Sequence, residues 1–302
     1  MRIWLCAEEA AGLQTLRLLR GRGHDVVGVA SSPAPGTATA TVARAAQNAG
    51  IPVHPAASVR DPAFAATLRD HGVELLLNVH SLHRIAAPAL EVPALGAFNL
   101  HPGRLPEYAG LDAASWAIFE GAAQHGVTLH WLTPDIDAGP IAYASEWPAT
   151  PADTALAVNT RCVRQGLELV ARLLDDAPLR CVPRLPQDPS ARRYYRRRTP
   201  GGGRLDWRLP AAALERTIRA CEFHPLAAPF PLPSTNLDGA ALEVVQAQAT
   251  RDPAHSLPGS VLGDRVACSD FWLQLKLVRQ QGRVCAASSV LRDGVRLVSG
   301  FD

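Results

Sequence analysis

The 302-residue sequence lacks a strong charge of either sign. It contains 30 basic and 28 acidic residues, which gives a formal net charge of +2. A global attraction to nucleic acid or to an anionic membrane is therefore excluded as the main property of the chain. Any contact with a polyanion must come from a local cluster of charges.

Cysteine motifs and long apolar runs are also missing. The six cysteines include no C-x-x-C pair, which fits neither a zinc ribbon nor a disulfide scaffold, so we expect reduced, structural thiols. No stretch reaches the ~18 apolar residues of a membrane span, and the N-terminal apolar run is too short for a secretory signal. These absences predict a soluble, cytoplasmic protein without a membrane partner.

Three common catalytic signatures are absent as well. The turn after the first apolar run is "AEEAAG", without the G-x-G-x-x-G of a dinucleotide site, and no G-x-x-x-x-G-K-[ST] occurs anywhere. The sequence also lacks the G-x-S-x-G motif of a nucleophilic serine. Nicotinamide enzymes, P-loop enzymes and α/β-hydrolases are therefore excluded.

Apolar runs and helical patterns alternate over the first 80 residues. The predicted strands are "RIWLCA", "DVVGVA", "IPVHPA" and "VELLLNVH". The predicted helices are "EEAAGLQTLRLLRGRGH", "TATVARAAQNAG" and "DPAFAATLRDHG", the last with Asp61 as its N-cap. This order predicts an α/β fold, a Rossmann-like, mainly parallel sheet with helices on both faces. Sites in such sheets form beyond the carboxyl ends of the strands.

The second half of the chain has a different pattern. A long amphipathic helix is predicted over 153–177, followed by the Arg-, Pro- and Gly-rich stretch 186–207, which is typical of a linker with little core of its own. Another helical pattern and several short β-prone runs then predict a smaller, β-rich barrel. We therefore predict a catalytic domain over 1–198 and a C-terminal β-rich, OB-like domain over 199–302.

An amide and an imidazole stand two positions apart in "GAFNLHPGRLPEYAG", where a predicted strand ends. Asn99 can donate hydrogen bonds, and His101 can donate or accept a proton near neutral pH. Taken alone, a histidine beside proline is more often structural, and Asn99 could be a turn residue. The alternatives stay open on these residues alone.

A carboxylate follows in "GVTLHWLTPDIDAGPIA", which contains Asp135 and Asp137 before a Gly-Pro turn. Asp137 alone could be an Asx-turn residue, and Asp135 is its nearest competitor.

Several motifs, in order, resemble the formyltransferase family that uses 10-formyltetrahydrofolate. The family includes methionyl-tRNA formyltransferase, glycinamide ribonucleotide formyltransferase and sugar N-formyltransferases. The matching segments are Asn99-x-His101-Pro102, Leu105-Pro106-x-Tyr108-x-Gly110, Trp116-Ala117-Ile118 and Asp137-x-Gly139-Pro140-Ile141. The resemblance implies that Asn99, His101 and Asp137 are catalytic, that 10-formyltetrahydrofolate is the formyl donor and that no metal is needed. Formyl transfer to an amine passes through a tetrahedral intermediate, which needs hydrogen-bond donors for its oxyanion and a group that takes a proton from nitrogen, and an amide, an imidazole and a carboxylate can supply these functions.

The resemblance also implies where the ligands bind. The folate slot maps onto Arg84, Ile85 and Asp135, with contacts made largely by backbone groups. Tyr108 and Asp112 would face the acceptor. The chain departs from the family at Gly103, where a serine is common after His-Pro.

The acceptor is not fixed by these motifs. The loop over 31–41 has no Lys or Arg where tRNA-specific members carry a basic insertion, so we expect a small amine, such as an amino sugar nucleotide or an ornithine-like amino acid. The run "ARRYYRRR" keeps tRNA open as a disfavoured partner, although its arginines could simply pair with acids at a domain junction. Methionyl-tRNA formylation, hydrolysis of the donor and an idle RNA-binding or scaffold role are the alternatives, and the oligomeric state is not predicted.

Overall fold

A computed structural model describes residues 1–32 and 41–298 and divides them into two compact units. The first unit contains Met1–Gly110, His125–Trp147 and Thr160–Tyr194. The second contains Leu111–Gln124, Pro148–Asn159 and the described residues from Tyr195 onward. The domains predicted over 1–198 and 199–302 stay a prediction.

The first unit is built on a seven-stranded, mainly parallel sheet. Its strands, numbered in chain order, are β1 (Arg2–Ala7), β2 (Asp25–Ser31), β3 (Val53–Pro55), β4 (Leu75–Val79), β5 (Gly96–His101), β7 (Gln124–Trp131) and β8 (Ile141–Pro148). Two short strands lie outside it, β6 (Ala109–Gly110) and β9 (Tyr194–Tyr195). The sheet order is β3-β2-β1-β4-β5-β7-β8. The first five strands in this order are parallel to one another, whereas β7 runs antiparallel to β5. The predicted Rossmann-like sheet is confirmed.

Seven α-helices connect or flank the strands in the described part of the chain. They are α1 (Glu9–Gly21), α2 (Val42–Asn48), α3 (Phe64–Asp70), α4 (Ala87–Leu90), α5 (Ala113–Glu120), α6 (Ala155–Asp176) and α7 (Ala211–Ala220). The predicted N-cap of α3 is wrong: Ala63 holds that position, and the Asp61 carboxylate instead accepts a hydrogen bond from Ala63 N at 2.9 Å. Asp61 therefore closes the turn that precedes the helix. Each described helix is too short or too polar to cross a bilayer.

Both faces of the central strands are buried, which explains their nearly continuous apolar sequence. On one face, Trp4 and Leu76 pack with Phe64 of α3. On the other face, a Cβ built on Gly166 of α6 would lie 2.8 Å from Leu100 Cδ2. A side chain at 166 would force Leu100 to shift, so the glycine permits the close approach of α6 to β5.

The second unit contains an antiparallel sheet with α7 against it. Its strands are β10 (Ser234–Leu237), β11 (Ala240–Pro253), β12 (Val261–Leu262), β13 (Arg265–Ala267), β14 (Phe271–Gln280) and β15 (Arg283–Ala286). Their order is β10-β11-β14-β13-β12, and β15 pairs with β14. Helix α7 packs on β11 and β14. The prediction of a smaller, β-rich C-terminal domain is confirmed, and its antiparallel sheet forms a half-barrel.

The stretch 186–207 is not a linker throughout. Leu205 and Trp207 lie fully buried in the core of the second unit, and Trp207 Nε1 donates a hydrogen bond to Thr235 Oγ1 at 3.0 Å. The Arg-, Pro- and Gly-rich composition concealed two large apolar side chains that anchor its end. The last of the predicted β-prone runs, "VRLVSGF", is represented by isolated bridges at Arg296 and Val298, and 299–302 lie outside the described residues.

Candidate active site

Three polar side chains form a row across neighbouring strands of the first unit. Asn78 of β4 pairs in register with Asn99 of β5, and Asn99 pairs in register with His130 of β7. Residues that pair in this way point to the same face of a sheet. All three are at least nine-tenths buried. The row lies near the carboxyl end of β5, where sites in open α/β sheets form.

Hydrogen bonds run along the whole row. Asn78 Nδ2 donates to Asn99 Oδ1 at 2.7 Å and to Ser81 O at 3.2 Å. Asn99 Nδ2 lies 3.0 Å from His130 Nε2, and His130 Nδ1 lies 2.8 Å from Trp131 O. Because a carbonyl oxygen only accepts, Nδ1 of His130 carries a proton, and its Nε2 is left to accept from Asn99.

Asp137 reaches the row from the loop after β7. Its Oδ1 accepts from Asn99 Nδ2 at 3.3 Å and lies 3.4 Å from His130 Nε2. Its Oδ2 accepts from Gly110 N at 2.8 Å and lies 3.6 Å from His101 Nδ1. The carboxylate therefore joins Asn99 and His101, two residues of the predicted trio.

The loop that carries Asp137 is held in a tight shape. Asp137 itself has φ of +51°, and a Cβ on Gly139 would lie 1.8 Å from Trp131 O, so a side chain there cannot be accommodated. Gln187 Nε2 donates to Asp137 O at 3.0 Å and to Gly139 O at 2.7 Å. Two backbone carbonyls of the loop are thus fixed by one side chain.

His101 is buried and held by the loop that follows it. Its Nε2 donates to Tyr108 O at 2.7 Å, which leaves Nδ1 facing Asp137. Thr128 Oγ1 donates to Gly103 O at 2.8 Å and accepts from Leu105 N at 3.3 Å. Thr128 therefore supplies a hydroxyl beside Gly103, the position at which the family commonly has serine.

Burial and charge act on the two ionisable groups of the trio in different ways. Burial lowers the pKa of His101 below its usual value, although Asp137 and Tyr108 O oppose this effect. Burial also works against ionisation of the Asp137 carboxyl, but His101, His130 and the Gly110 N–H outweigh it and hold its pKa well below the usual range. At neutral pH the site therefore contains a neutral imidazole beside a carboxylate.

A cavity of about 490 Å³ lies beside the Asp137 loop. It brings together two of the predicted folate-slot residues, Arg84 and Asp135. Its other lining residues are Pro134, Ile136, Ala138 and Arg192. The side chain of Ile85 is in the core instead of the cavity, so only its backbone remains for a ligand contact. The folate role of these residues stays a prediction.

The two predicted acceptor residues fall in different units. Tyr108 lies in the first unit, where its carbonyl accepts the hydrogen bond from His101. Asp112 lies in the second unit with φ of +57°, just before α5, and its Oδ2 is 3.8 Å from Arg197 Nε. The acceptor role of both residues stays a prediction.

Sequence reasoning missed Asn78, His130 and Gln187. Asn78 could have been noticed as a polar residue inside the apolar run "LLLNV", and His130 as a histidine inside the strand before the Asp137 loop. Their contacts depend on strand register, and that of Gln187 depends on a distant loop. Within the described ranges, no group of three or more His, Cys, Asp or Glu side chains is arranged to hold a metal ion.

Comparison with known families accounts for both halves of the chain. Residues 10–174 match the family described as formyl transferase, and residues 198–293 match the formyl transferase C-terminal domain. The chain belongs to the formyl transferase family.

Solved structures with the same fold include enzymes crystallised with folates. HypX from Aquifex aeolicus, in complex with tetrahydrofolic acid, is 17% identical with a TM-score of 0.69, and the match covers 96% of this chain and 47% of HypX. The N-formyltransferase from Helicobacter canadensis, in complex with folinic acid and dTDP-3-aminofucose, is 14% identical with a TM-score of 0.70 over 91% of this chain and 99% of that one. A sugar N-formyltransferase from Shewanella sp. FDAARGOS_354 is 16% identical with a TM-score of 0.64 over 81% and 96%. The chain spans about half the length of HypX, and identities at this level show a shared fold.

Proposed function

We propose that the protein is an N-formyltransferase that moves a formyl group from 10-formyltetrahydrofolate to the amine of a small molecule. The observation that carries this proposal is the convergence of Asn99, His101 and Asp137 at one buried point of the sheet. Family membership supports the reaction type. An amide donor, a neutral imidazole and a carboxylate are the groups that this reaction needs.

The cavity beside the Asp137 loop is the proposed folate site. Arg84 and Asp135 supply charged groups at its wall, and Ile136 adds an apolar surface. Small-molecule sites commonly combine an apolar surface with a few placed polar groups. Support also comes from HypX and the Helicobacter canadensis enzyme, whose structures contain tetrahydrofolic acid and folinic acid.

The three residues divide the chemistry between them. Asn99 stabilises the developing oxyanion with an N–H of its amide, and the long 3.3 Å bond to Asp137 is the one it gives up for the formyl oxygen. His101 takes the proton of the attacking amine at Nδ1, because its Nε2 proton is already committed to Tyr108 O. Asp137 then stabilises the charged imidazole across 3.6 Å. The same proton returns to the leaving nitrogen of the folate.

A small acceptor is favoured over tRNA. In the arginine-rich run, Arg192 donates to Ile136 O at 2.6 Å and Arg197 lies near Asp112, so these two side chains are engaged within the protein. The loop over 31–41, which has no Lys or Arg, also disfavours tRNA as the acceptor. Most of this loop lies outside the described residues, so only its composition supports this point. The amino sugar nucleotide in the Helicobacter canadensis structure supports an acceptor of that class.

The test is incubation with 10-formyltetrahydrofolate in the presence and absence of candidate amines. Release of tetrahydrofolate is followed by absorbance, and a panel of amino sugar nucleotides and ornithine-like amino acids is compared with methionyl-tRNA. We expect release that depends on a small amine. Equal release without any amine would identify a hydrolase, and selective use of methionyl-tRNA would overturn the small-acceptor assignment.

A further inference from the structure

Asn78 is an unusual residue for its position. It lies in β4, whose other four residues are apolar and buried, and it is only 7% exposed. A buried amide in such a strand must find hydrogen-bond partners or lower the stability of the fold. Its Nδ2 has two, Asn99 Oδ1 and Ser81 O.

These partners fix which way both amides point. If the Asn78 amide were turned over, its carbonyl oxygen would face two other oxygens, Asn99 Oδ1 and Ser81 O. With Nδ2 of Asn78 donating, Asn99 must keep its oxygen toward β4. Its NH2 group then faces His130 Nε2 and Asp137 Oδ1, on the side of the candidate catalytic groups.

No described residue donates a hydrogen bond to the other end of the Asn78 amide. Its Oδ1 is fully buried and accepts no hydrogen bond from any described residue. An unsatisfied buried acceptor destabilises a protein, so this oxygen offsets part of the stability that the two Nδ2 hydrogen bonds contribute. The net stability gained from the amide is therefore small, whereas its effect on the orientation of Asn99 is direct.

We propose that Asn78 is a positioning residue that holds the Asn99 amide with its N–H groups toward the reacting formyl oxygen. The kinetic part of this inference rests on the proposed function. The structural part, the orientation of Asn99, can be tested without turnover.

The kinetic test compares Asn78→Leu with wild type. Leucine is close to asparagine in size and cannot donate to Asn99, so we expect kcat to fall about tenfold, the rate equivalent of one neutral hydrogen bond. KM for 10-formyltetrahydrofolate should change less than twofold. Leucine removes the unsatisfied Oδ1 but also the donor to Asn99 Oδ1 and Ser81 O, so we expect a lower melting temperature and a protein that is still folded at the assay temperature, which circular dichroism checks. Leu76→Met, two residues earlier on the same face of β4, is the matched control and should keep wild-type kcat.

The structural test uses the N–H···N bond between Asn99 Nδ2 and His130 Nε2. In uniformly 15N-labelled protein, a through-bond coupling between these two nitrogens should be seen in wild type and in Leu76→Met, and should be weakened or lost in Asn78→Leu. An unchanged coupling in Asn78→Leu overturns the proposal, as does unchanged kcat, or a fall in kcat that is fully explained by a smaller folded fraction at the assay temperature. If wild type shows the coupling but no formyl transfer, the proposed function fails while the orientation stands.

Discussion

Replacing Asp137 by asparagine would separate the charge of this residue from its shape. The carboxylate is 8% exposed and accepts hydrogen bonds from Gly110 N and Asn99 Nδ2 through different oxygens. An asparagine has one oxygen in place of two. In either orientation of the new amide, its NH2 group faces a hydrogen-bond donor, which is Gly110 N–H in one orientation and Asn99 Nδ2 in the other. One buried hydrogen bond is therefore replaced by two donors that face each other.

The size of the effect follows from two losses. The charged imidazole of His101 loses its counter-charge at 3.6 Å, and the Asn99 amide is displaced, so kcat should fall ~10²–10³-fold, as when one preorganised oxyanion-stabilising group is removed. The buried mismatch should lower the free energy of unfolding by about 1–3 kcal/mol. KM for 10-formyltetrahydrofolate should change little, because the carboxylate acts on the intermediate.

Acid unfolding gives a second signature of the same carboxylate. The pKa of Asp137 is lower in the folded protein than in the unfolded chain, so its ionisation contributes stability above the unfolded value of about 4, and this is lost as the pH falls through the folded value. Asp137→Asn should remove that part of the acid dependence. Asp175→Asn, an exposed position on α6, is the control and should keep wild-type behaviour.

The assay is steady-state kinetics together with thermal unfolding from about pH 3 to pH 7. Turnover of Asp137→Asn close to wild type, in a variant with intact circular dichroism, would refute the proposed role. A rise in KM without a fall in kcat would also refute it, since that result would assign the carboxylate to ligand docking.

Four further predictions follow from the same contacts. Burial lowers the pKa of His101 in the folded protein, so below about pH 6.5 the unfolded chain binds a proton that the folded protein does not bind. The free energy of unfolding should therefore fall as the pH drops through that value. Scanning calorimetry should show a smaller fall in His101→Asn. Gly139→Ala should lower both melting temperature and kcat, because its Cβ would overlap Trp131 O; a normal melting temperature would contradict the tight loop. Replacing 196–198 by glutamine should leave turnover of a small acceptor nearly intact, whereas loss of methionyl-tRNA formylation in a folded variant would identify an RNA site. Limited trypsin digestion should cut first beside 196–203, and early cuts within 60–140 would contradict the predicted boundary.

The alternation of strands and helices was readable from sequence because central parallel strands are buried on both faces. β1 is apolar after Arg2 and β4 is apolar except at Asn78, and the bounds of both strands agree with the predicted segments to within a few residues. The boundaries of helices were less secure. Asp61 has the residue type of an N-cap, yet its carboxylate closes the preceding turn and α3 begins at Phe64.

Composition also gave a wrong prediction for the stretch 186–207, where two buried side chains matter more than the many polar residues around them. The stretch that contains Leu205 and Trp207 is rich in Arg, Pro and Gly, but these two residues are buried in the second unit. Local composition cannot show which apolar side chain finds a core, because that depends on strands that begin only at Ser234, far along the chain from Leu205 and Trp207.

The three predicted catalytic residues could be identified from sequence motifs, whereas Asn78 and His130, which hydrogen-bond to Asn99, could not. Asn99, His101 and Asp137 belong to short, ordered motifs that a sequence displays directly. Asn78 and His130 act through register, which pairs positions 21 and 31 residues from Asn99. Their contacts become visible only when the strands are aligned.

The most direct measurement of the central claim follows the formyl carbon itself. With 10-formyltetrahydrofolate labelled with 13C in the formyl group, NMR should show the label leaving the folate and appearing as an N-formyl amide on a small amine, at a rate that falls ~10²-fold or more in His101→Ala. The account predicts no labelled amide without enzyme. Label that appears only as formate, or equal rates for wild type and His101→Ala, would contradict it.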